Sequence, residues 1–99
     1  MQTLETVDHA GLVVRVGTVV RVLAISDSLI AMFDAHDRAR LRSLLGQALA
    51  VYEVYEDGNA WVEQWWEEGE GAFSNHSLAL APADMAVCAP GTVPDRAAV

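Results

Sequence analysis

The sequence predicts a small, mainly β domain of about five strands, with one short helix in its first long loop and a helical turn before its last strand. Three observations carry this. "LVVRVGTVVRVLAI", Leu12 to Ile25, is rich in β-branched residues, which suit a pleated, half-buried surface. "VYEVYEDGNAWVEQWW" reads as a hairpin, because Asp57-Gly58 is a favoured turn flanked by strand formers. "SLALAPADMAVC" reads as a strand, a tight turn started by Pro82, and a second short strand.

In the first run, Val14, Val16, Val20, Val22 and Ala24 share one parity and Arg15 and Arg21 the other. Side chains alternate across a strand, so the valines are expected inside and the arginines outside. Gly17 marks a break or bulge, leaving Thr18 to Ile25 as the strand proper. The next segment, Ser26 to Gly46, loses the alternation. Asp34 is a helix cap, Leu41, Leu44 and Leu45 fall on one helical face, and Gly46 suits the left-handed end. A helix is expected near Ala35 to Leu45, with a further turn near Ser28 to Met32.

The hairpin does not resolve cleanly. A two-residue loop sets Tyr55 against Ala60, Val54 against Trp61 and Glu53 against Val62, and each face then carries acid. Val51, Tyr55, Ala60 and Val62 are taken as the inner face, with Trp61 outside. A bulge or a longer loop would shift that parity. "EEGEGAFSNH" reads as a loop. Met85 and Val87 are expected to face inward after the Pro82 turn. Residues 1–11 read as a flexible N-terminal arm, 12–89 as the single domain, and 90–99 as a flexible tail with little to bury.

The pieces "GTVVRVL", "LLGQALAVYEVYEDGNAWVE" and "SLALAPADMAVC" together resemble the Src-homology-3-like barrels. The last piece is similar to the strand, single helical turn and strand that close such barrels. Comparable arrangements occur in the variable subunit of ferredoxin–thioredoxin reductase and in the nitrile hydratase β subunit. The whole also looks like small bacterial proteins of this barrel type. The resemblance spans Gly17 to Cys88 and implies a fold, not an activity, because this fold hosts many unrelated functions.

Composition narrows function. The chain has 99 residues, 53% of them hydrophobic, which suits one globular domain. There are 14 acidic residues against 6 basic ones, for a formal charge of −8. Such a surface repels phosphate backbones and anionic lipid, so neither a nucleic acid nor a membrane is expected as partner. No charge-free run spans a bilayer, and "MQTLETVDHAG" has no basic region or apolar block of a secretory signal. Cys88 is the one cysteine, so a reduced, cytoplasmic setting is expected.

No catalytic motif is present: no H-x-x-x-H, no C-x-x-C, no phosphate-cradling glycines and no nucleophile elbow. Neither an enzyme nor a cofactor is expected. His76 lies between the acidic loop and the last strands, where a neighbouring carboxylate would favour its charged form. A zinc site built from His36, His76, Cys88 and a glutamate lacks the paired spacing of such sites.

The strongest feature is "AWVEQWWEEGEGAF", which holds all three tryptophans. Parity divides them. Trp61 and Trp65 go together on the outside, while Trp66 joins Val62 and closes the core. Trp61, Trp65 and Tyr52, rimmed by Glu63, Glu67, Glu68 and Glu70, with His76 beside them, form the expected binding surface. Aromatic rings beside carboxylates suit a basic protein partner. The competing expectation is that Leu29, Ile30, Met32 and Phe33 cover the outer tryptophans. A non-catalytic binding module or an accessory or inhibitor subunit is the leading functional expectation. An acidic mimic that inhibits a nucleic-acid-binding protein comes second, and a small-molecule or metal-binding protein using His76 and nearby acids third. A homodimer through a strand edge or the tryptophan face is a further expectation.

Overall fold

The computed structural model describes residues 4–96. Of the expected arm (1–11) and tail (90–99), residues 1–3 and 97–99 lie outside the described residues. The chain is mainly strand. In order come β1 (Thr6–Val7), β2 (Val13–Val14), β3 (Val19–Val22), α1 (Asp27–Ile30), α2 (Ala35–Ser43), β4 (Ala48–Ala50), β5 (Glu53–Val54), β6 (Ala60–Gly69), β7 (Ala72–Leu80), a 3-10 turn (Pro82–Asp84) and β8 (Met85–Val87). All pairings are antiparallel. They join the strands into three small sheets, ordered β1-β2, β4-β3-β8 and β5-β6-β7.

The valine run breaks where glycine allows it. Gly17 has φ +93°, a left-handed backbone that other residues rarely adopt, and it separates β2 from β3. Val14, Val20 and Val22 are buried as expected. Val16 is 58% exposed, because it sits in the turn where alternation no longer applies. Ala24 is also exposed, two residues past the end of β3.

Both helical expectations hold within two residues. The Asp34 side chain accepts from the Asp37 N–H at 2.9 Å, capping α2. Leu41 and Leu44 are buried, whereas Leu45 lies beyond the helix and is exposed. Gly46 (φ +81°) then turns the chain into β4.

The hairpin turn is one residue longer than the two-residue loop expected. Val54 pairs with Ala60, and the Tyr55 N–H donates to the Asn59 carbonyl at 3.0 Å. Glu56, Asp57 and Gly58 form the loop. The Gly58 N–H donates to the Tyr55 carbonyl, Gly58 takes φ +88°, and the Asp57 carboxylate accepts from the Asn59 N–H. This is a tight turn closed by a left-handed glycine, with an aspartate bonding the backbone two residues on. The extra residue reverses the parity of β5. Val54 is therefore inside and Tyr55 outside, while Val51, Ala60 and Val62 are inside as expected.

"EEGEGAFSNH" is a second correction. It is not a loop but the far half of the longest hairpin. β6 and β7 stay paired from Ala60–Leu80 out to Gly69–Ala72, with a bulge between Glu67 and Gly69. Only Glu70 and Gly71 turn the chain, with both glycines and Glu70 at positive φ. Consecutive left-handed residues reverse the chain within two positions, which a count of glycines and acids alone does not reveal.

The core gathers Val14, Val20, Val22, Leu41, Leu44, Leu49, Val51, Val54, Ala60, Val62, Trp66, Leu78, Leu80 and Met85, with Leu29, Phe33 and Val87 packed against it. Each fully buried valine, leucine or methionine side chain here contributes about 1.5–3 kcal/mol.

Residues on both sides of this core are drawn in. The segment expected to be a loose arm places β1 beside β2, and Thr6 Oγ1 donates to the Gly58 carbonyl at 2.7 Å. Asp8 is 3% exposed, and its carboxylate accepts from the N–H groups of Ala10, Leu12 and Val87 at 2.8–2.9 Å. From the segment expected to be a loose tail, Asp95 reaches β4. Its N–H donates to the Ala48 carbonyl and its carboxylate accepts from the Ala48 N–H.

The Val87 N–H, more than any other group, holds the Asp8 carboxyl below its ordinary value of 3.8, with Leu12, Ala10 and His9 acting the same way against the opposing effect of burial. A carboxyl lowered in the fold stabilises it above the unfolded-chain value, and that stability is lost as pH falls through the folded value. Urea midpoints measured between about pH 5 and pH 2 should fall less steeply in Asp8→Asn than in the wild type. At neutral pH the variant should be the less stable protein. Equal acid slopes would show that Asp8 does not couple folding to pH.

Candidate functional site

The β6–β7 ladder assigns every side chain of the hairpin to a face. Ala60, Val62, Gln64 and Trp66 point inward with Leu80, Leu78, His76 and Ser74 as their partners. Trp61, Glu63, Trp65 and Glu67 point outward beside Ala79, Ser77, Asn75 and Phe73. Glu53 pairs with Trp61, so Glu53 and Tyr55 extend the outer face onto β5.

The outer face is aromatic and acidic. Trp65 is 51% exposed and Phe73 61%. Phe73 is diagonal to Trp65 across the ladder, within reach of an aromatic side chain. Trp61 is half-buried and packs on Tyr55, with ring centroids 5.4 Å apart. Its indole N–H is enclosed and finds no acceptor in the described chain, an arrangement that costs about 1–3 kcal/mol. Glu63 accepts from the Asn75 amide at 3.1 Å. No Arg or His occupies an outward position of this sheet. A shallow groove lined by Leu4, Glu53, Val54, Tyr55, Glu56 and Asp57 borders it, adding two more acids. Glu53 is the main cause that raises the Tyr55 phenol above its usual pKa, a mark of crowded negative charge.

The inner face at the far end of the hairpin is occupied. His76 Nε2 lies 3.2 Å from Asp37 Oδ1. The His76 ring meets Phe33 edge-on at 5.7 Å and Trp66 at 5.6 Å. The Arg40 guanidinium sits 5.1 Å over the Trp66 ring and pairs with Glu68. Ser74 Oγ completes this network, accepting from Arg40 at 2.8 Å and donating to Glu68 at 2.6 Å. Arg40 first, then Ser74, holds the Glu68 carboxyl below the usual glutamate value.

The residues expected to form one surface are thus divided. Trp61, Trp65, Glu63 and Glu67 share the outer face. Glu68 and His76 belong to the inner network. Glu70 stands at the hairpin tip with φ +49°. The ring against Trp61 is that of Tyr55 rather than Tyr52, a consequence of the longer turn; Tyr52 contributes its backbone N–H to the Trp61 carbonyl. The competing cover is also resolved. Phe33 and α2 lie against Trp66 and His76, on the face opposite Trp65.

Phe73 joins the outer surface without having been singled out from the sequence, and Tyr55 joins it although expected on the inner face. Phe73 was masked by the loop assignment of its segment. Asp37 and Arg40 were hidden because their partners lie 39 and 28 residues away.

Among the described residues no group of three or more His, Cys, Asp and Glu converges as a metal site. The carboxylate at His76 is Asp37, not one of the acids of the hairpin tip. Among them, too, no helix is long and apolar enough to cross a membrane. Comparison with family models, curated proteins and solved structures found no match.

Removing Arg40 should free the Glu68 carboxyl. In Arg40→Ala, a side-chain NMR titration should place the Glu68 pKa higher than in the wild type, with Ser74 still holding it below an ordinary glutamate. An unchanged value would mean that Arg40 does not govern this carboxylate.

Proposed function

We propose that this chain is a non-catalytic protein-binding module, acting as an accessory or inhibitor subunit, that takes a basic partner on the outer face of its β6–β7 hairpin. One observation carries the reading. Trp65 and Phe73, both more than half exposed, stand diagonally across the ladder on a sheet face that holds Glu53, Glu63 and Glu67 and no base. Paired large aromatics are favoured at the centres of interfaces. Arginine in particular stacks on such rings while pairing with the carboxylates around them.

The charge balance strengthens the case. Among the described residues, the ion pairs engage Glu5, Asp37 and Glu68. The outer glutamates form none, so their field is available to steer a basic partner.

The scaffold we infer is a Src-homology-3-like barrel. Three features support it. β3 pairs with both β4 and β8. The bent segment Ala48–Val54 serves one sheet through β4 and another through β5. A 3-10 turn leads into the last strand. A cytoplasmic setting suits the free, half-buried Cys88. The acidic-mimic reading rests on net charge alone. The small-molecule reading loses its anchor, since His76 is engaged by Asp37, Phe33 and Trp66.

The test is a fluorescence titration with an eight-residue peptide of alternating arginine and threonine. The wild type should bind it with a dissociation constant that rises with salt. Trp65→Ala/Phe73→Ala should weaken binding at least about tenfold, with an unchanged circular dichroism spectrum. Equal affinity in that double variant would remove the outer face from the account.

A further inference from the structure

The chain covers two of its sheet edges and leaves a third open. At β8, the His9 N–H donates to the Met85 carbonyl and Asp8 accepts from the Val87 N–H. At β4, Asp95 bonds both backbone groups of Ala48. β7 is the edge of the third sheet and nine residues long, the longest edge strand in the fold. Apart from its ladder with β6, its backbone makes no hydrogen bond to any described residue.

Natural edge strands are protected by charge, proline, bulges or brevity. β7, "AFSNHSLAL", has no Asp, Glu, Lys, Arg or Pro. The bulge of this hairpin lies on β6. A run of nine residues offers about 30 Å of open backbone.

We propose that β7 accepts an extended basic segment of the partner as an added strand, so that backbone pairing and the outer face act together. The proposal rests on the outer-face reading and specifies how the partner sits there. A strand beside β7 runs about 4.8 Å from it, which sets its outward side chains next to Phe73 and Asn75. Arginines at those alternate positions are long enough to cross over to Trp65, Glu63 and Glu67 on β6. On the inner side, Asp37 of α2 stands against His76, and Arg40 there is already tied to Glu68. The acidic side of the added strand is therefore the outer one, which carries Glu63 and Glu67. A second copy of this chain is the poorer occupant, because it would bring two acidic faces together, each chain carrying −8.

The alternating arginine–threonine peptide tests this in two further forms, N-methylated at every arginine or at every threonine. In an extended strand those two sets of N–H groups lie on opposite edges. Added-strand binding predicts that one form binds at least about tenfold more weakly and that the other keeps the affinity of the parent peptide. It also predicts that alternate β7 amides gain protection from hydrogen exchange in the complex. If both forms bind like the parent while Trp65→Ala/Phe73→Ala does not, the partner docks on the face alone and the edge proposal is overturned. If the parent peptide does not bind at all, the outer-face reading itself fails. If the free protein dimerises with the same amides protected, a second copy occupies the edge and the proposal is overturned in that way.

Discussion

The turn from Tyr55 to Asn59 sets the parity on which the rest of the molecule depends. Gly58 in its left-handed conformation and the Asp57 carboxylate fix a three-residue loop. That loop pairs Val54 with Ala60 and so commits the alternate residues of β6 to opposite faces. A slip of one residue would carry Trp66 and Val62 to solvent and bring Glu63 and Glu67 into the core. Burial of apolar side chains on one face thus enforces an aromatic and acidic pattern on the other. Thr6 reinforces the turn from outside through its bond to the Gly58 carbonyl.

The two ends of the hairpin answer different physical demands. Near the turn, the inner face is closed by β4, β5 and the aliphatic core. Towards the tip the strands outrun that core, and the α1–α2 excursion supplies the cover. There the apolar contact comes from Phe33 and Trp66, and the polar contact from Asp37–His76 and Arg40–Glu68–Ser74. Arg40 serves both, lying over Trp66 while neutralising Glu68. The outer face has no comparable cover, and no Arg or His shares it with its glutamates.

Much of this was legible from local pattern. The valine alternation, the Gly17 break, the Asp34 cap and the Pro82 turn each rest on residues within a few positions of one another, where backbone sterics dominate. The separation of Trp61 and Trp65 from Trp66 follows from period-2 alternation and held. The rest depends on interactions that no short window contains. Tyr55 and Val54 exchanged places because one residue was added to a loop whose flanking strands tolerate either register. Glu67 to His76 became strand because a pair of glycines and Glu70 reverse the chain tightly and Arg40 meets Glu68 from a distant helix. The docking of Asp8 and Asp95 is likewise non-local, since each carboxylate bonds backbone N–H groups on strands far along the chain.

The most direct measurement is fluorine NMR of the protein labelled with 5-fluorotryptophan, with each resonance assigned by a Trp→Phe variant. Solvent isotope shifts then report the exposure of all three indoles separately. The account predicts a large shift for Trp65, a small one for Trp66 beneath Arg40, and an intermediate one for Trp61 against Tyr55. A Trp66 as exposed as Trp65 would contradict the register of the hairpin, and with it the surface proposed to bind.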